Sequence, residues 1–196
     1  CPADSLISFM TRDEVLEVFR QNNALLEGHF ILRSGLRSRE FFPCAQALQK
    51  MPVVEQLGAD LADKVRNLGI TTVVAPAMGG LVIGQEVARQ LGVRFIFVEK
   101  INDALVLRRG FKIDSHEKIL IVEDVVTRGG RADETIQIVR EHGGDLLALA
   151  VLVDRSSGDY DPGVPFISLL EMQVETFTPD DLPEDLRALE PVKPGS

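Results

Sequence analysis

Between residues 72 and 153, apolar positions fall into short unbroken runs, and stretches with a three-to-four-residue period lie between them. The runs lie within residues 72–75, 94–98, 119–122 and 146–153, Thr72 and Arg94 being the polar residues that open the first two. Continuous apolar runs of this length predict strands buried on both faces. Residues 81–91 and 132–142 carry helical spacing instead, the second through Ile136 and Val139 and closed by Gly143. Alternation of this kind predicts an α/β fold with a central parallel sheet flanked by helices.

Outside that block the pattern changes. Thr11-Arg12-Asp13-Glu14 is a capping box ahead of Val15, Leu16, Val18 and Phe19, and predicts a helix over 11–22. Pro52 opens a second helix, with Val53, Val54, Leu57, Leu61, Val65 and Leu68 on one face and Gly69 at its end. Between them, residues 28–49 alternate around a Ser34-Gly35 turn and predict a small hairpin separate from the main sheet, ended by Pro43. Residues 166–170 and 174–177 predict late strands. In the acidic, Pro-rich tail, Leu182, Leu186 and Leu189 predict a short docked helix. Met10-Thr11 reads as a native start, which makes residues 1–9 an extension and 10–196 one domain.

A length of 196 residues suffices for one full core, and no apolar run approaches the roughly 20 residues that span a bilayer. Nothing near the start reads as a signal peptide, so the expected location is the cytoplasm. A net charge of −9 argues against non-specific nucleic-acid or membrane binding. Cys1 and Cys44 make no disulfide framework, and His29, His116 and His142 form no cluster. Cys44 reads as a small core filler. An acidic chain that binds anions must concentrate positive charge locally, and Arg108, Arg109, Arg128 and Arg131 are available for this.

The chemistry concentrates in residues 119–131. An apolar strand runs into Glu123 and Asp124, then Val125 and Val126, then Thr127-Arg128-Gly129-Gly130-Arg131, where a helix begins. A glycine loop entering a helix turns backbone N–H groups inward at the positive end of the helix dipole, which suits a phosphate monoester. Two carboxylates cannot bind that same phosphate. They suit hydroxyl donors such as those of a ribose, so the combination describes a ribose-5-phosphate site. The plain alternative is an ordinary βα turn with a polar tip. The Gly-Lys-Ser/Thr ending of a P-loop is missing.

This stretch resembles the fingerprint of the type I phosphoribosyltransferases across its whole length. The run from Phe30 to Ser38 resembles the N-terminal signature of the orotate phosphoribosyltransferases, and Leu107-Arg108-Arg109-Gly110-Phe111 resembles a run in a bacterial subgroup typified by those of Thermus. The resemblance covers residues 30–155 and implies the type I fold with a small N-terminal hood over the base, mainly residues 28–49. It implies that Glu123 and Asp124 hold the ribose hydroxyls. Val125, Val126, Thr127, Arg128, Gly129, Gly130 and Arg131 surround the 5-phosphate, with Thr127 also near orotate. Met78 and Gly79 lie in the loop for pyrophosphate, where the family often carries a non-proline cis peptide. Arg33 stands where the family usually has lysine. Phe41 and Phe42 face the substrates, unless they are simply core. Arg155, after the 146–153 strand, takes the orotate carboxylate in the family; its other reading is a surface arginine.

Residues 99–112 read as a long polar connection, which in the family is a mobile lid that brings cations to the leaving group. Lys100, Arg108 and Arg109 are its candidates, and with Asp124 the resemblance marks Lys100 and Arg109 as catalytic. The lysine and histidine usual later in that lid are missing here, and the other reading of 106–109 is a β-hairpin with solvated arginines. The implied reaction makes orotidine 5′-monophosphate and pyrophosphate in pyrimidine biosynthesis, with Mg2+ held through the substrate rather than by protein ligands. A homodimer, with small-molecule substrates and no nucleic acid or membrane partner, is implied too. The alternatives are a purine phosphoribosyltransferase and a non-catalytic regulator that binds phosphoribosyl pyrophosphate.

Overall fold

The computed structural model describes residues 9–32 and 34–194. The chain opens with α1 (Arg12–Gln21), whose capping box is formed in both directions: the Thr11 side chain accepts from the Glu14 N–H, and Glu14 accepts from the Thr11 N–H. Such a cap is worth about 1 kcal/mol. The hairpin follows as β1 (Leu26–Ile31) and β2 (Arg37–Phe41), antiparallel, with a bulge between Glu27 and Phe30. Next come α2 (Cys44–Leu48) and α3 (Met51–Val65), the latter continued by one 3-10 turn to a left-handed Gly69.

The main sheet is built from β3 (Thr72–Pro76), β4 (Arg94–Ile101), β5 (Ala104–Leu107), β6 (Lys118–Val126), β7 (Asp145–Asp154) and β8 (Phe166–Glu171). Helix α4 (Gly79–Leu91) crosses from β3 to β4, and α5 (Gly130–Glu141) from β6 to β7. The chain closes with β9 (Thr176–Phe177) and α6 (Glu184–Arg187). Strand order is β5-β4-β3-β6-β7-β8, parallel except for the edge strand β5.

Alternation along the buried strands feeds two cores, because successive side chains leave a strand on opposite faces. Leu120 and Val122 join Leu57, Leu61, Ile83 and Val87 under α3 and α4. Ile119 and Ile121 join Ala132, Ile136 and Val139 under α5. Cys44 is a core residue at 2% exposure.

Three features differ from the reading of the sequence. The short α2 was not expected. The hood is not a free hairpin: β9 pairs with β2, and Val192 exchanges backbone bonds with His29 and Ile31 on the far side of β1. Chain segments about 140 to 160 residues apart therefore build one small sheet, which no local pattern announces. Residues 99–112 are not one polar connection; the hairpin of the alternative reading forms, with Val106 and Leu107 in its second strand and Arg108 and Arg109 just beyond it. β4 runs on to Ile101, Asn102 and Asp103 turn with positive φ (49° and 67°), and β5 returns with Val98 opposite Leu107. A pair of left-handed residues is what a tight hairpin turn needs. Residues 1–8 and Arg33 lie outside the described residues.

Candidate active site

β3 and β6 are parallel neighbours, with Val74 opposite Ile121, yet the chain leaves them in opposite directions, through α4 to β4 and through α5 to β7. Their carboxyl ends therefore open a crevice at the point where strand order switches, the usual ligand position in such sheets. A pocket of about 410 Å³ occupies it, lined by Gly79 from the first loop and by Glu123, Asp124, Val125, Val126, Thr127, Gly129, Gly130, Arg131 and Ala132 from the second.

The two loops meet closely. β3 ends in a cis Ala77–Met78 peptide, and α4 begins at Gly79. A Cβ on Gly79 would lie 2.5 Å from Asp124 Oδ1, so only glycine leaves room for that carboxylate. Asp124 Oδ1 also accepts from the Val125 N–H at 2.9 Å. Glu123 is 4% exposed, and its carboxyl is pushed up to about 9, first by burial and then by the neighbouring charge of Asp124; Arg131 opposes this. Burial also raises Asp124. The pair thus shares a proton in the free protein, and a partner that donates hydroxyls or carries positive charge favours its ionised form.

The loop after β6 has the geometry of an anion cradle. Gly129 sits at φ 80°, and no side chain caps α5, so the first N–H groups of that helix face the pocket without a competing side-chain acceptor among the described residues. Thr127, Arg128, Gly130 and Arg131 are exposed, and Arg128 is not among the lining residues.

Arg155 follows β7. Its N–H donates to Val126 O at 2.8 Å, which fixes its start beside the end of β6. Its guanidinium carbon lies 5.3 Å from the centre of the Phe42 ring, and its Nε is buried with no hydrogen-bond partner among the described residues. Burial works against its charge. A half-buried guanidinium with an unpaired nitrogen is costly unless a ligand satisfies it. Phe42 is a core residue at 6% exposure that supports Arg155, while Phe41 is half-buried against Phe30 at 5.7 Å. Adjacent strand residues thus take different roles.

The lid cations stand apart from the pocket lining. Lys100, on β4, pairs with Asp103 at 2.9 Å. Arg109 pairs with Glu99 at 3.0 Å and stacks 5.6 Å over Phe97, and Arg108 reaches Glu99 at 4.0 Å. Met78 is 76% exposed beside the first loop. Tyr160 was not expected at the site. Its ring fills the place a Gly129 Cβ would take, and its hydroxyl donates to Asp133 Oδ1 at 2.8 Å. Nothing local marks it, since it stands in an irregular segment some thirty residues from the loop it touches. Among the described residues no group of three or more His, Cys, Asp or Glu side chains is placed to hold a metal ion.

A model of the phosphoribosyl transferase domain matches residues 45–182. An orotate phosphoribosyltransferase of Desulforamulus reducens is 45% identical over 187 residues, covering 95% of this chain and 98% of the relative. One of Novosphingobium aromaticivorans is 47% identical over 190 residues, covering 95% and 98%. The crystal structure of orotate phosphoribosyltransferase from Aeropyrum pernix shares the fold, with a TM-score of 0.69 at 22% identity over 81% of this chain and 94% of that one. With the phosphoribosyl transferase domain over most of its length and relatives at this identity end to end, the chain belongs to the orotate phosphoribosyltransferase family.

Proposed function

We propose that the chain transfers the 5-phosphoribosyl group of phosphoribosyl pyrophosphate to N1 of orotate, giving orotidine 5′-monophosphate and pyrophosphate in pyrimidine biosynthesis. The observation that carries this reading is Arg155: a half-buried guanidinium with an unpaired nitrogen, beside a ribose-phosphate pocket, suits a planar carboxylate such as that of orotate. A purine base has no such group.

In this reading the Gly129 and Gly130 loop and the N-terminus of α5 hold the 5-phosphate. Glu123 and Asp124 accept from the ribose hydroxyls. The bond from ribose C1 to the pyrophosphate oxygen breaks as that from C1 to orotate N1 forms, and the N1 proton is lost to solvent. The ring passes through a cationic, oxocarbenium-like state, so the negative charge of the ionised pair below it lowers the barrier. Lys100, Arg108 and Arg109 neutralise pyrophosphate after exchanging their acidic partners for it. Holding both reactants at one sheet edge removes much of the entropic barrier. Mg2+, held through the substrate, would add positive charge to the leaving group. The donor set suits that, since two adjacent carboxyls with Arg131 as their nearby cation leave a deficit of positive charge in the pocket.

A homodimer and a cytoplasmic location belong to the same reading. The exposed apolar Met78 and Val82 at the rim of the first loop support a subunit contact there. No described helix is long and apolar enough to cross a membrane.

The test mixes the protein with Mg2+, phosphoribosyl pyrophosphate and orotate and follows the loss of orotate absorbance, with hypoxanthine, guanine, xanthine and adenine in parallel. Turnover of orotate alone is expected. Turnover of a purine and none of orotate overturns the assignment. Silence with every base despite phosphoribosyl pyrophosphate binding moves the chain to the regulator class.

A further inference from the structure

The loop meant to hold the 5-phosphate carries two consecutive glycines, and glycine is the residue with most backbone freedom to lose. A cradle of N–H groups binds well only if it is held in shape before the ligand arrives. Gly129 and Gly130 have no side chains with which to anchor themselves. Tyr160 supplies the anchor from outside. Its ring lies directly against the Cα of Gly129, where any Cβ would collide with it. The ring is itself fixed edge-on to Phe166 of β8, with centroids 5.7 Å apart and planes at 89°.

The hydroxyl has a second task. It donates to Asp133 Oδ1, in the first turn of α5. The Asp133 N–H in turn bonds Gly129 O at 2.8 Å, so one tyrosine touches both ends of the entry turn. A carboxylate released there is drawn to the helix N-terminus and competes with an incoming phosphate. Burial and the Asp133 carboxylate both raise the Tyr160 pKa, which keeps the donor proton in place. The segment that carries Tyr160 also starts at Arg155, whose N–H holds Val126 O. The loop after β7 thus braces the loop after β6 at both of its ends.

We propose that Tyr160 is a positioning residue for the 5-phosphate: ring and hydroxyl together hold Gly129, Gly130 and the first turn of α5 in the anion-binding shape. This rests on the ribose-phosphate reading of the pocket, though not on which base is used.

Calorimetric titration of the whole protein tests it, with ribose 5-phosphate as one probe and inorganic pyrophosphate as the other. Tyr160→Phe keeps the ring and loses one hydrogen bond, so ribose 5-phosphate weakens about fivefold. Tyr160→Ala also loses the ring, so the loss grows to about twentyfold or more. Pyrophosphate, bound on the opposite loop, stays within about twofold, and in turnover the KM for phosphoribosyl pyrophosphate rises while kcat changes little. Unchanged ribose 5-phosphate affinity in Tyr160→Phe and Tyr160→Ala overturns the proposal, as does equal weakening of both probes, which marks general loosening. Should Tyr160→Ala not fold, the Phe variant alone decides by the same ratio. A wild-type protein that binds ribose 5-phosphate yet never consumes orotate removes the orotate assignment and leaves this test intact. A wild-type protein that does not bind ribose 5-phosphate removes both.

Discussion

Glu123 holds a proton at neutral pH that the unfolded chain would have released, because burial and Asp124 push its carboxyl from the ordinary 4.5 up to about 9. The folded state therefore binds more protons than the unfolded one throughout the window between those values, and stability must fall as pH rises through it. One proton of difference corresponds to about 1.4 kcal/mol per pH unit. Glu123→Gln keeps the shape of the protonated acid and removes the titration. Relative to wild type it gains with pH, reaching about 2–4 kcal/mol at pH 8 after allowance for the proton shared with Asp124. In a domain of this size that is a rise in Tm of roughly 5–10 °C. The assay is ligand-free thermal unfolding of both proteins from pH 5.5 to 8.5. The expected curves diverge upward in pH, with wild type falling and the variant nearly flat. Orotate turnover by the variant falls by about a hundredfold or more, since a neutral amide cannot stabilise a cationic ribose. Parallel Tm curves for the two proteins would refute the reasoning, because they would mean that Glu123 is ionised in the folded protein.

Arg155→Leu is expected to raise the KM for orotate by about 10- to 100-fold, the worth of a charge-assisted hydrogen bond pair, and to leave the KM for phosphoribosyl pyrophosphate within about threefold. Its Tm should not drop, because the substitution removes a buried nitrogen without a partner. Gly79→Ala places a methyl 2.5 Å from Asp124 Oδ1, and kcat/KM for phosphoribosyl pyrophosphate should fall about a hundredfold while circular dichroism stays native. Arg109→Ala breaks a pair that is exposed on the arginine side and largely covered at Glu99, and should shift stability by about 1 kcal/mol. If Arg109 meets the leaving group, kcat nevertheless falls about 10- to 100-fold, and Lys100→Ala, measured beside it, shows which of the two matters more.

What was legible from the residues alone was local. The capping box at Thr11, the apolar runs of β3, β6 and β7, and the helical spacing of α3 and α5 each record an interaction a few residues long, so the order of elements and the parallel sheet follow from them. The acids and glycines of residues 123–131 were equally readable, because one strand end, one loop and one helix start carry them all. The hairpin of β4 and β5 has a local signal too, in the left-handed pair Asn102-Asp103.

Everything that depends on distant segments meeting was decided by tertiary structure. Gly79 came to face Asp124 only because β3 and β6 pair and their crossovers part. Phe42 came to support Arg155, and Tyr160 to fill the space beside Gly129, from positions with no periodic relation to their partners. The hood took β9 and the bridge at Val192 from the end of the chain, where local spacing announces a late strand and a short helix but not the hairpin they join. The high pKa of Glu123 belongs to the same class. A sequence shows two adjacent carboxyls, but the burial that makes them share a proton exists only once α4, the sheet and the loop after β6 have closed around them.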